Sequence, residues 1–140
     1  MRRLALVALV VVAVAGLVAG CGSDSGGSSA GGGGKRPSTS ARLAIVEPSP
    51  NQVVGPDVTV TLQLQGAKVV PQTTGKLSGT EGHIHLSVDG KLVSMAFTTS
   101  QQVTGLAPGQ HSIQAEFVAK DHLPFANRVV AAVLFTVKAQ

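Results

Sequence analysis

Residues 82 to 95 read Gly82-His83-Ile84-His85-Leu86-Ser87-Val88-Asp89-Gly90-Lys91-Leu92-Val93-Ser94-Met95, two β-rich runs on either side of an Asp-Gly pair. Asp-Gly between alternating apolar residues is the strongest short-range signal for a two-residue hairpin, because a type I′ turn needs positive φ at both central positions. Such a turn pairs Val88 with Lys91, Leu86 with Val93 and Ile84 with Met95. Directly opposed residues share a face. Ile84, Leu86, Val88, Val93, Met95 and Phe97 are therefore expected to form one apolar face turned to a core, with Met95 spent in packing. His83, His85 and Ser87 then lie on the wet outer face, opposite Leu92, Ser94 and Ala96.

The same signals recur outward from the hairpin. Short runs rich in Val, Thr, Ile and Leu, separated by Gly, Pro, Asn and Asp, predict strands near 42 to 46, 57 to 65, 83 to 88, 91 to 98, 101 to 106, 111 to 119 and 128 to 138. In the second, Val58, Val60, Leu62 and Leu64 alternate with Thr59, Thr61, Gln63 and Gln65, the mark of a sheet with one buried face. No window carries an amphipathic helix. With no Trp or Tyr and four Phe, the core must be mostly aliphatic. Residues 42 to 140 have the length of one small domain. Seven short strands in about 100 residues suit a single Ig-like antiparallel β-sandwich.

The first residues carry an address. Met1-Arg2-Arg3 precede a run from Leu4 to Val18 without a polar side chain, the charged and apolar regions of a signal peptide. The run is shorter than the roughly 20 residues of a membrane span. It ends in Leu17-Val18-Ala19-Gly20-Cys21, which resembles the lipobox of bacterial lipoproteins, and Cys21 is the only cysteine in the chain. The resemblance implies removal of residues 1 to 20 and fatty acylation of Cys21 as the new N-terminus. Two or three acyl chains, at about 0.8 kcal/mol per buried CH₂, hold a protein stably on a membrane. Cys21 is then an anchor, and neither a redox thiol nor a metal ligand. Residues 21 to 41 are dominated by Gly and Ser and cannot bury enough apolar surface to offset chain entropy. They read as a disordered linker with a span of about 25 Å, in which Lys35-Arg36 is a solvated pair.

The formal charge of +4 is a property of the precursor. Of 11 basic residues, Arg2 and Arg3 leave with the signal peptide, so 9 face 7 acidic residues; from Arg42 onward 7 face 6. A nearly neutral domain without a basic cluster interleaved with aromatics has no nucleic-acid face.

Three groups of residues, Gly82-His83-x-His85-x-x-Val88-Asp89-Gly90, Pro108-Gly109-x-His111 and His122-x-Pro124, occur in that order. The pattern is similar to a group of uncharacterised bacterial periplasmic or surface Ig-like domains, over residues 42 to 138. That resemblance implies the sandwich fold and a histidine pattern, with no established activity; Ile84 stands where the group suggests a further histidine. In Ig-like topology the segments 83 to 88 and 111 to 119 are antiparallel neighbours, which brings the loop holding Asp121-His122 beside His83 and His85. Histidines at i and i+2 on a strand, with a third nearby and an open position, suit Zn²⁺ or Cu²⁺. Glu116 and Asp121 are candidates for a fourth ligand. Blue copper is disfavoured, because the domain has no thiolate. Exposed histidines on a strand also occur as plain surface groups that titrate near pH 6.5 and bind nothing. His111 falls at the other end of the sandwich and is expected to be a half-buried residue bonded to backbone. The stretch 66 to 82 is long for a sandwich loop, and loops beyond about 12 to 15 residues are functional rims or flexible excursions; Val69 and Val70 could add a short edge strand.

No Gly-x-Ser-x-Gly, phosphate-cradling loop or His-Glu-x-x-His is present, so the chain is not expected to be an enzyme. Two expectations remain. One is a monomeric, membrane-anchored, extracytoplasmic binding module that meets a protein or cell-envelope partner through the loops at the His122 end. The other is a lipoprotein that holds copper or zinc on His83, His85 and His122. The address is tested separately: a Cys21→Ser chain should fail to incorporate a fatty-acid probe, and labelling at the wild-type level would refute the lipobox reading.

Overall fold

Val58, Val60 and Leu62 turn inward from one sheet and meet Ile84, Leu86, Ile113, Ala115, Phe117 and Phe135 from the other, all nearly or fully shielded from solvent. The computed structural model describes residues 35 to 139; Cys21, the signal-peptide segment and most of the linker lie outside them. Among the described residues there are nine strands: β1 (Arg42–Glu47), β2 (Val53–Val54), β3 (Val58–Gln65), β4 (Lys68–Val69), β5 (Glu81–Val88), β6 (Lys91–Ala96), β7 (Ser100–Val103), β8 (Gly109–Ala119) and β9 (Pro124–Val137). There is no helix among the described residues. One sheet runs β1-β3-β7; the other runs β2-β9-β8-β5-β4, with β6 also paired to β5. The domain is thus an Ig-like β-sandwich, and the seven expected strands are all present. β2 and β4 are short additions, each parallel to its neighbour. β4 is the edge strand anticipated near Val69.

The Asp89-Gly90 turn forms as read, with φ of 49° and 78°. Val88 faces Lys91 and Ser87 faces Leu92. The register then departs from the simple hairpin. Leu86 faces Ser94, so Val93 is an extra residue on β6, and from there His85 faces Met95 and Ile84 faces Ala96. Beyond this bulge the two faces of β6 are exchanged. Val93, Met95 and Phe97, expected in the core, are 50%, 49% and 43% exposed, while Ser94 and Ala96 take the inward parity. Bulges concentrate at sheet margins, where one unpaired residue bends and twists the strand. β6, which pairs only with β5, is such a margin.

Residues 36 to 41, read above as the end of the linker, lie on the sandwich. The Ala126 amide donates to the Pro37 carbonyl at 3.0 Å, and Asn127 brackets Thr39 with one bond accepted from its amide (2.9 Å) and one donated to its carbonyl (2.7 Å). Thr39 and Ala41 are buried.

The revised register separates two variants sharply. Leu86→Ala should destabilise by about 2 to 5 kcal/mol, as emptying a core position does. Met95→Ala should stay within about 0.5 kcal/mol, as surface changes do. Urea melts of both measure the difference, and equal losses would restore the unbulged hairpin.

Candidate metal centre

The site is assembled by the pairing of β5 with β8, in which Gly82 faces Ala119, His83 faces Val118 and His85 faces Glu116. The start of β5 therefore lies beside the end of β8. Gly82 is buried so tightly that a Cβ would strike the Val118 carbonyl and the Phe117 ring. No other residue lets the strands approach this closely at the first histidine. Past Ala119 the chain turns back. The His122 amide donates to the Ala119 carbonyl at 3.0 Å, and the Ala119 amide donates to the Leu123 carbonyl at 3.0 Å.

His122 itself sits at φ 64°, the left-handed region that few non-glycine residues occupy. Its neighbours hold it there. Asp121 accepts the Leu123 amide at 3.2 Å and a two-pronged bond from the Arg36 guanidinium at 2.7 and 3.0 Å. Arg36 also donates to the carbonyls of Pro124 (2.6 Å) and Leu123 (3.0 Å), while its bond to Asp121, and then the Leu123 amide, hold the Asp121 carboxyl below its usual range. Lys120 reaches Glu81 at 2.6 Å and ties the turn to the first residue of β5. Far from a solvated pair with Lys35, Arg36 is the clamp on the His122 turn, a role that a sequence separation of 85 residues conceals.

Three imidazoles converge at this corner. His83 Nε2 lies 2.9 Å and His85 Nε2 lies 3.4 Å from His122 Nδ1, and one ligand nitrogen from each of the three falls within 4.8 Å of the others. Nitrogens bound at about 2.0 to 2.1 Å to one tetrahedral ion sit roughly 3.3 Å apart, so only small shifts separate the rings from a ligating geometry. His83 is fully buried, and His85 and His122 are half-buried. The expectation that His83 is a surface residue is corrected here. His122 packs against it at 4.3 Å between ring centres, and Phe97, brought round by the bulge, packs edge-on at 5.3 Å. Its Nδ1 has no hydrogen-bond partner. Burial, and then the neighbouring His122 and His85, push the His83 pKa down to about 4. His85 is lowered as well, by burial first and His122 second. Both are thus neutral at ordinary pH, the form that binds metal.

The two carboxylates expected nearby are committed elsewhere. Glu116 forms a two-pronged pair with Arg128, both bonds 2.7 Å, and Asp121 is held by Arg36. The centre therefore offers three converging imidazoles with no carboxylate among them. His111 lies apart, as anticipated, with Nδ1 2.7 Å from Asp89 and Nε2 2.7 Å from the Ala107 carbonyl. Two acceptors raise its pKa, Asp89 contributing most.

No protein-family model matches the chain, and no curated protein does. Among solved structures it is similar to the fibronectin(III)-like modules of Clostridium thermocellum CbhA, at 18% identity and a TM-score of 0.50, over 69% of this chain and 94% of that one. A PKD domain from human KIAA0319 matches at 12% identity and TM-score 0.46, over 79% of this chain and 91% of the other. A CARDB domain of Pyrococcus furiosus matches at 17% identity and TM-score 0.46, over 74% and 99%. The likeness to the fibronectin(III)-like modules is one of fold.

A pH dependence follows from the buried histidines. Because their folded pKa values lie below the free value of about 6.5, the unfolded chain takes up protons first on acidification, and stability falls with pH there. The His83 contribution is complete above pH 6.5 and is lost as pH drops toward 4, and that of His85 falls in the same direction. For His83 the loss is on the order of 2 to 3 kcal/mol, at 1.36 kcal/mol per pKa unit. His111 acts in the opposite sense, its contribution present on the acid side and lost as pH rises through its raised pKa. Denaturant melts of metal-free protein from pH 7 to 4.5 should show the acid loss, reduced in His83→Gln; a flat wild-type profile would contradict it.

Proposed function

We propose that this chain is a non-enzymatic, lipid-anchored, extracytoplasmic Ig-like module that captures one copper or zinc ion on His83, His85 and His122. The observation that carries this reading is the convergence of three imidazoles, in which the Nε2 atoms of buried His83 and of His85 both approach His122 Nδ1 and one nitrogen of each ring lies within 4.8 Å of the others. Burying the His83 ring with its Nδ1 unpaired costs free energy that an apolar side chain would not, and its other nitrogen is turned toward the His122 ring. A cation repays it, since a ligand that binds the folded state alone adds about 2.7 kcal/mol at a hundredfold excess over Kd.

The route of the chain favours a role close to the membrane. Fifteen positions separate Cys21 from Arg36, and a Gly/Ser-rich stretch of that length spans about 20 Å. Arg36 docks on the turn that carries His122, so an anchor at Cys21 would tether the domain by its metal-binding end. A partner-binding module is the second reading, favoured by Leu123, Phe97 and Met95, which are 53%, 43% and 49% exposed around the same corner.

Calorimetric titration of the full chain in detergent with Zn²⁺ and with Cu²⁺ should show one ion per chain. His122→Ala should weaken binding about a hundredfold or more, because it removes one of three ligands outright, and outer-shell changes alone cost about 10 to 100-fold. No stoichiometric uptake at micromolar metal would overturn the metal reading and leave the partner-binding one.

A further inference from the structure

The bulge at Val93 places Met95 directly opposite one of the three histidines. His85 and Met95 are directly opposed across β5 and β6, so both side chains rise on the same face, with Cβ atoms roughly 4.5 to 5.5 Å apart. Two residues on, Phe97 already touches His83, which confirms that this part of β6 is turned toward the site. Methionine is unbranched, with three rotatable bonds and a polarisable thioether. Met95 is half exposed, so no core packing holds its sulfur elsewhere. Without the extra residue at Val93 it would sit on the inner face, out of reach of every imidazole.

Resting on the metal-binding reading above, we propose that Met95 Sδ is the fourth ligand of the His83, His85 and His122 centre, and that the centre is built for copper(I). The choice of ion follows from charge and softness. The anionic side chains that could have joined, Glu116 and Asp121, are each taken by an arginine, which leaves a ligand set of three imidazoles and a thioether with no net charge. Thioether ligands select Cu(I), whereas carboxylates suit harder cations. The cost of bringing an ion out of water into a dry site rises with the square of its charge. At a corner backed by Val118 and buried His83, and only partly open to water, a site with no ligand anion to compensate favours a monovalent ion over a divalent one.

The test uses the full chain in detergent, in a Cys21→Ser background so that Met1 and Met95 are the remaining sulfur atoms. Cu(I) affinity is read anaerobically by competition with a chromophoric Cu(I) chelator, and Zn²⁺ affinity is read in parallel, for the parent, Met95→Leu and His122→Ala. Met95→Leu should weaken Cu(I) by about tenfold or more, comparable to the smaller losses seen on disturbing a metal site, while leaving Zn²⁺ affinity nearly unchanged. Copper-edge X-ray absorption should show a sulfur neighbour in the parent that Met95→Leu lacks. Unchanged Cu(I) affinity in Met95→Leu, with no sulfur neighbour in the parent, would overturn the thioether ligand while the histidine centre stands. Failure of the parent to bind either ion, or indifference of binding to His122→Ala, would overturn both.

Discussion

The pairing of β5 with β8 at Gly82 is the contact on which the candidate centre depends. A side chain at that position would collide with the Val118 carbonyl, so glycine permits the close approach that sets His83 beside Val118 and His85 beside Glu116. The end of β8 is thereby fixed over the start of β5, and the turn that follows must return across the outer face of the sheet. His122 lands on His83 because of that return. Its left-handed backbone is a local cost of the kind that surrounding structure must over-determine. Here the restraint is explicit: Asp121, Arg36 and the Lys120 to Glu81 pair hold both sides of the turn.

Charge around the corner is arranged with equal economy. Two arginines, one from the segment before β1 and one from β9, occupy the two nearest carboxylates and keep them from the imidazoles. A free carboxylate beside His83 or His85 would stabilise the imidazolium and raise the pKa. With both acids paired, burial outweighs their pull, and the pKa values of His83 and His85 are lowered. The same pairings remove hard ligands from the set, so one electrostatic choice fixes both the protonation state of the rings and the character of the ion they suit. His111 shows the opposite arrangement in the same chain. It faces Asp89 and a carbonyl, and its proton is held more tightly.

The sandwich, the Asp89-Gly90 turn and the adjacency of His122 to His83 and His85 were legible in the sequence, because each rests on local chemistry or on a topology with few alternatives. Alternation marks a half-buried strand, and positive φ at two successive residues demands Asp-Gly or its like. The bulge left no such mark. In Leu92-Val93-Ser94-Met95-Ala96-Phe97 the apolar residues are spaced so that either parity gives a plausible strand, and a one-residue shift exchanges the faces completely. Burial of His83 was hidden for a related reason, since its cover comes from Phe97 and His122, one displaced by the bulge and the other 39 residues away.

The sequence by itself determined which segments are strands, where the hairpin turns and which three histidines share a corner, since strand periodicity, turn chemistry and Ig-like connectivity act over short range or through few topologies. Only the tertiary structure decided that His83 is buried, that Met95 faces His85 on the outer side of the sheet and not the core, and that Arg36 belongs to the domain. Each of these depends on contacts between residues far apart in the chain or on a single inserted residue at a sheet margin, and no pattern along the sequence encodes the energy of either.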